Sequence, residues 1–338
     1  MTALEPERKT GMSDYLPGIE GRIFIAGTGR SGTSMLHGVL GSHPSVYMVP
    51  YESKFIVEAD GLEELVSYLT DRFSITHAER ALYRFDRLMR SALTGEEPLA
   101  IKNWRFDVLI GQDIYYASVN SFIKSLIDYE YEEAVPCDAY STAFQTHWPS
   151  QPLSVRRVLP KMFEQRADAI ALGRQFVDGM FGAATLRARK TYWCEKTPSN
   201  LLSMAFLWEL FPDAVIIHIK RDPRGVFHSL MQQDWAPRSA EATAALLRSL
   251  YVRWERFKKS FDFTGRRYLE LKIEDLVRDP EPALSAITTL AKLPTWSIDP
   301  RILSTEAPDN WRAKMPPAAR EVCENALGRF FPLMGYGA

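Results

Sequence analysis

The pattern of apolar and polar positions divides the chain into three stretches. In the first, residues 22–26 (RIFIA) are a short apolar run ending in a glycine turn, which reads as a buried strand. A helix is expected over about residues 33–40, and GSHP (41–44) stops it, since Gly and Pro break helices. VYMV (46–49) reads as a second strand about twenty residues after the first. Strand, helix and strand at that spacing make a βαβ unit, hence a parallel sheet covered on both faces. In the second stretch, about residues 60–190, helical periodicity dominates, as in GLEELVSYLTDRF, AERALYRFDRLMRSAL and DVLIGQDIYYASVNSFIKSLI. A Pro-rich break, THWPSQPLSVRRVLPKM, divides it, and the whole reads as a large helical insertion or lid. In the third, TYWCE (191–195), AVIIHI (214–219) and RYLELKI (267–273) are again strand-like. Helical patterns in NLLSMAFLWELF and ATAALLRSLYVRWERFKKSF separate them, and PEPALSAITTLAKL adds another helix. The expected fold is α/β: an open parallel sheet of about five strands flanked by helices. Ligands on such sheets bind at the carboxyl ends of the strands.

Composition narrows the class without naming a chemistry. The 338 residues, 46% hydrophobic and 25% charged, suit a soluble globular protein. Residues 1–20 are polar and broken by Pro and Gly, and read as a flexible arm ahead of a single domain over 21–338. The arm lacks the apolar core of a signal peptide, and no apolar run reaches the length of a membrane span. A net charge of −1 excludes a global basic field for nucleic acid or an anionic membrane. The three cysteines, Cys137, Cys194 and Cys323, are far apart and form no CxxC pair, so neither a disulfide framework nor a zinc site is expected. A reducing cytoplasm is the simplest compartment.

The turn after the first strand, GTGRSGTS (27–34), admits three phosphate chemistries. Gly27, Gly29 and Gly32 fit GxGxxG, and Glu52 stands about twenty residues on, where a dinucleotide site has its ribose acid. An NAD(P)-dependent oxidoreductase is thus one reading. The same glycines frame a nucleotide-triphosphate loop, but Thr33 occupies the position of its phosphate-binding Lys. A phosphosulfate group uses more of the residues present: hydroxyls from Ser31, Thr33 and Ser34, and a cation from Arg30 within the loop.

GTGRSGTS resembles the 5′-phosphosulfate loop of sulfotransferases that use 3′-phosphoadenosine 5′-phosphosulfate (PAPS). An Arg in this loop is similar to the tyrosylprotein and carbohydrate branches and to many bacterial members. FPDAVIIHIKRDPRGVFHSLM (211–231) resembles the family's 3′-phosphate motif, an Arg at a strand end, here Arg221, and a Ser eight residues later, here Ser229. An Arg fork holds a phosphate dianion through two parallel hydrogen bonds. EKTPSN (195–200) resembles the family's Lys-Thr-Pro segment, in which Lys196 would contact the transferring group. LKIEDLVRDPEPAL (271–284) is similar to a Tyr-Glu-Asp-Leu segment, with Ile273 where the Tyr usually stands. DNWRAKMP (309–316) resembles the late loop that covers the nucleotide, with Trp311 and Arg312 matching and Asn310 in place of Gly.

The resemblance covers about residues 22–58 and 190–315, and implies a transferase giving PAP and a sulfated product. It implies that Gly29, Arg30, Ser31, Gly32, Thr33 and Ser34 hold the 5′ end, and that Arg221, Ser229, Trp311 and Arg312 serve the 3′ end and nucleotide. Arg30 and Lys196 would stabilise transition-state charge, and no metal is required. Glu52 resembles the base of the tyrosylprotein branch, with His147 as the runner-up; His37, His43 and His228 read as structural. The acceptor, a small molecule, lipid or carbohydrate, is not named by any motif. Arg156, Arg157 and Lys161 either meet an acidic acceptor or form a solvated basic helix end. Trp104, Tyr115, Tyr116 and Trp148 either wall an acceptor site or belong to the core. A non-catalytic nucleotide-binding protein would need neither Arg30 nor Lys196, and both are present.

Overall fold

The computed structural model describes residues 16–95, 105–135, 153–303 and 308–337. Residues 1–15, Trp104, Cys137, His147 and Trp148 lie outside the described residues, as does the side chain of Arg156. Seven strands are present among the described residues: β1 (Gly21–Ala26), β2 (Val46–Met48), β3 (Ile127–Val135), β4 (Leu153–Pro160), β5 (Tyr192–Lys196), β6 (Val215–Lys220) and β7 (Tyr268–Lys272). Five of them form one parallel sheet in the order β2-β5-β1-β6-β7, and these are the five strands expected from the apolar runs.

Every residue of β1, β5 and β6 is buried, which a parallel sheet covered on both faces requires. Alternation of side chains then sorts the two cores. Ile23, Ile25, Cys194, Ile217 and Ile219 pack on one face, against Leu36, Val39 and Leu40 of α1 (Thr33–Gly41). Phe24, Trp193 and Ile216 point to the other face, where the larger core lies.

That larger core takes in the segment between β2 and β5. It contains α2 (Leu62–Leu69), α3 (Ile75–Arg87), α4 (Phe106–Ile110), α5 (Gln112–Ser125) and α6 (Arg166–Arg187). Asp178 of α6 accepts from the Arg22 guanidinium and from Trp193 Nε1 (3.1 Å), which fastens the segment to β1 and β5. The stretch is not wholly helical, however. β3 and β4 pair antiparallel, so the expected basic helix end at SVRRVLPKM is a strand instead. The register sets Tyr131 opposite Arg157 and Glu132 opposite Arg156, and the aromatic Tyr129 and Tyr131 with the β-branched Val155 and Val158 favour strand over helix. Tyr115 is fully buried, its hydroxyl donating to Met89 O (2.6 Å), so it is a core residue and no acceptor wall.

After β5 come α7 (Met204–Leu210), α8 (Pro223–Met231), α9 (Ala240–Ser260), α10 (Ile273–Arg278) and α11 (Pro280–Ala291), then α12 (Trp311–Lys314) and α13 (Pro317–Leu327). The parallel arrangement puts the ends of β1, β5 and β6, followed by residues 27–32, 197–200 and 221–222, on one edge of the sheet.

Candidate functional site

The glycine turn is shaped by three different constraints. At Gly27 a Cβ would stand 2.5 Å from Ser31 Oγ and 2.8 Å from Ile219 O, so only Gly lets the turn lie against β6. Ser31 is fully buried and its hydroxyl donates to Thr28 O (2.7 Å), so it builds the turn from inside. Gly32 has φ 99° and caps α1, and a Cβ there would meet Ile273 at 2.5 Å. Ile273, which stands in the usual Tyr position, is thus the floor beneath the third glycine. No side chain among the described residues caps α1, and its first turn carries no acid. Thr33 and Ser34 of that turn line a cavity of about 780 Å³. Unpaired first-turn N–H groups with the positive end of the helix dipole suit an anion. Gly32→Ala is expected to cost about 1–2 kcal/mol from the left-handed backbone alone, measured by chemical denaturation. A loss below about 0.5 kcal/mol, within the ordinary surface range, would mean that the turn relaxes freely.

Arg30 also has a left-handed backbone (φ 70°) and is exposed at the cavity. Its Nε donates to Ser229 Oγ (3.0 Å). Arg221, at the end of β6, is 8% exposed and donates to Arg30 O and Pro308 O, both at 3.1 Å. Burial holds its guanidinium below the usual arginine value. Asp222 and Pro223 start α8 as expected, Asp222 Oδ1 accepting from Arg224 N (2.9 Å). Arg30 therefore meets Arg221 and Ser229, which lie far downstream of it in sequence, beside the glycine turn.

Glu52 and Lys196 form the second cluster. Lys196 Nζ lies 2.9 Å from Glu52 Oε1, with 7% and 27% of the two side chains exposed. Lys54 Nζ lies 3.9 Å from the other Glu52 oxygen. Glu52 and Lys54 line the cavity, whereas Lys196 stands behind Glu52. Glu195, fully buried, locks this arrangement. Its Oε1 accepts from Ser53 N (3.2 Å), Ser53 Oγ (2.9 Å) and Thr197 Oγ1 (2.6 Å), and its Oε2 from Asn200 Nδ2 (2.8 Å). Burial raises the Glu195 carboxyl pKa while these hydrogen bonds oppose the shift. Sequence reasoning passed over Glu195; its signal is a carboxyl group directly after the apolar run YWC, inside a strand.

Trp311 and Arg312 do not line the cavity. Trp311 is 1% exposed, with the guanidinium carbons of Arg224 and Arg312 at 4.8 Å and 4.6 Å from its ring centre. Its edge abuts α8, where a Cβ on Gly225 would stand 3.1 Å away. Arg312 is exposed and pairs with Asp309 (3.0 Å). The two residues brace the segment whose Pro308 carbonyl receives Arg221. His37 contacts Cys194 O (3.1 Å), and burial lowers its pKa to about 4, so it is a neutral core histidine. His43 bonds Pro294 O (3.1 Å) and His228 bonds Gln232 (2.9 Å). Among the described residues no cluster of three His, Cys, Asp or Glu side chains could hold a metal ion. A smaller cavity of about 470 Å³ beside α3 and β4 contains no predicted donor-site residue.

A model of the sulfotransferase family matches residues 22–297. No curated protein matches the chain. The chain is similar to the solved sulfotransferase domain of the Synechococcus PCC 7002 olefin synthase, with 19% identity and a TM-score of 0.45, over 90% of this chain and 93% of that one. It is also similar to sulfotransferase STF9 from Mycobacterium avium, with 15% identity and a TM-score of 0.41, over 96% and 79% of the two chains. The oxidoreductase alternative finds no support in these matches. The sheet explains the misleading fingerprint. In a dinucleotide fold the second strand adjoins the first, but here β5 lies between β1 and β2, and Glu52 pairs with a lysine from β5.

Proposed function

The chain belongs to the sulfotransferase family, and from that premise we propose that it moves a sulfuryl group from PAPS to a hydroxyl or amine of a small-molecule, lipid or carbohydrate acceptor, giving PAP and a sulfated product. The observation that carries the donor assignment is the meeting of Arg30, Arg221 and Ser229 beside the uncapped start of α1. Two guanidinium groups and a helix N-terminus converging on one cavity favour a ligand with more than one anionic group. The fit is also steric: a Cβ built at Gly29 meets nothing within 4 Å, so the turn leaves open space where a phosphate would lie.

In this reading the backbone of residues 29–34, with Thr33 and Ser34, holds the 5′-phosphosulfate. Ser31 maintains the turn's shape. Arg221 and Ser229 hold the 3′-phosphate, while Trp311 and Arg312 support Arg221 from behind. Bound PAPS supplies an activated sulfuryl group. Glu52 accepts the acceptor's proton, and Arg30 stabilises charge that builds in a loose, in-line transfer, with the positive charge of Lys196 acting from behind Glu52. Lys196 also orients Glu52 through the 2.9 Å contact. A cytoplasmic setting suits the buried free thiols Cys194 and Cys323, and no helix among the described residues is long and apolar enough to cross a membrane.

Incubation with PAPS labelled in its sulfuryl group tests the proposal. Label should pass to a pool of alcohols with release of PAP. PAP binding without transfer to any hydroxyl or amine pool would leave a nucleotide-binding protein and overturn the enzymatic reading.

A further inference from the structure

The cavity has two chemically unlike walls. One is the phosphate-binding side already described. The other is apolar, formed by Leu230 at the end of α8, Trp235 in the connection to α9, and Leu246 and Leu250 of α9. Leu246 and Leu250 are four residues apart, so they share one helical face. Trp235 is 64% exposed and Leu246 39%, although both are large apolar side chains. Apolar side chains left open at a cavity mouth mark a surface that gains by being covered.

The charged side chains of the cavity do not compete for this role. Arg30 and Arg221 belong to the donor side. Lys54 lies 3.9 Å from both Glu52 and Glu58, and Ser199 donates its hydroxyl to Glu58 (3.0 Å). The polar groups between the two walls are thus engaged with one another. An anionic acceptor would meet Glu52 and Glu58 directly. A sugar could lay a C–H face on Trp235, but its ring-edge hydroxyls would face Leu230, Leu246 and Leu250 and be left without partners. The wall fits a molecule with one reactive hydroxyl on an uncharged apolar body.

We propose that Trp235, Leu246 and Leu250 form the acceptor subsite, and that the acceptor is an uncharged alcohol with an extended apolar body. This inference rests on the sulfuryl-transfer reading and narrows its substrate class. It also moves the acceptor wall from the segment between β2 and β5 to the α8–α9 connection.

A series of primary alkanols from ethanol to octanol tests it, read both as turnover with PAPS and as calorimetric binding to the PAP-saturated protein. The specificity constant should rise about fourfold per added methylene until the wall is filled. Trp235→Ala should weaken octanol binding by about tenfold or more and flatten the series, while PAP affinity stays at the wild-type value. Leu246→Ser, also at an exposed position, should act in the same direction. A flat series, or a preference for sugars or anionic acceptors, overturns the assignment. PAP binding with no alkanol binding overturns the acceptor class alone. Absence of both PAP binding and transfer overturns the sulfuryl-transfer reading itself.

Discussion

Glu52→Gln is expected to lower turnover by roughly 10²- to 10⁴-fold and to leave PAP affinity near the wild-type value, the outcome for loss of the proposed general base. The substitution is nearly isosteric. Gln retains an oxygen that can accept from Lys196, so the 2.9 Å contact has a replacement partner and loop 51–54 keeps its other anchors. Those anchors are the Ser53 hydrogen bonds to buried Glu195. The loss should therefore fall on kcat rather than on KM for PAPS. Single-turnover kinetics with unchanged PAP titration would locate the defect in the transfer step. Wild-type turnover would remove Glu52 from the role of base. A large fall in PAP affinity would instead make Glu52 part of the donor site.

Arg221→Ala should weaken PAP binding by about 10²-fold or more, because the proposed fork of charged hydrogen bonds to the 3′-phosphate would be lost. The side chain has a second duty, since it ties Arg30 O to Pro308 O. Arg221→Lys separates the two contributions. It keeps a positive charge but not the planar fork, and should give intermediate affinity. Adenosine 5′-phosphate, which has no 3′-phosphate, should bind wild type and Arg221→Ala with nearly equal affinity. If both nucleotides weakened alike, Arg221 would be acting through the turn and not through the 3′-phosphate.

The sheet was legible in the sequence because all five strands are short apolar or alternating runs bounded by turns. The two candidate phosphate motifs were legible because each sits where a strand ends and a helix begins, at residues 27–33 and 220–223. The strand order was not legible: β5 enters between β1 and β2 from about 150 residues downstream, and no local pattern announces that insertion. The hairpin of β3 and β4 was hidden for a similar reason. Its paired positions, such as Tyr131 with Arg157, lie across a long connection, while each strand alone looks amphipathic or basic. Trp311 and Arg312 were placed at the nucleotide by motif similarity, yet their surroundings are set by α8 and the braced segment at Pro308. The apolar wall escaped because Trp235, Leu246 and Leu250 look like ordinary core residues, and only their place on the cavity, with Trp235 and Leu246 exposed there, distinguishes them.

Calorimetric titration of wild type with PAP and with adenosine 5′-phosphate tests the proposed clamp on the two ends of PAP most directly. Saturable one-site binding of PAP is predicted, tighter than adenosine 5′-phosphate by about 10²-fold or more, with the difference collapsing in Arg221→Ala. Equal affinity for the two nucleotides in wild type, or no PAP binding at all, would contradict it.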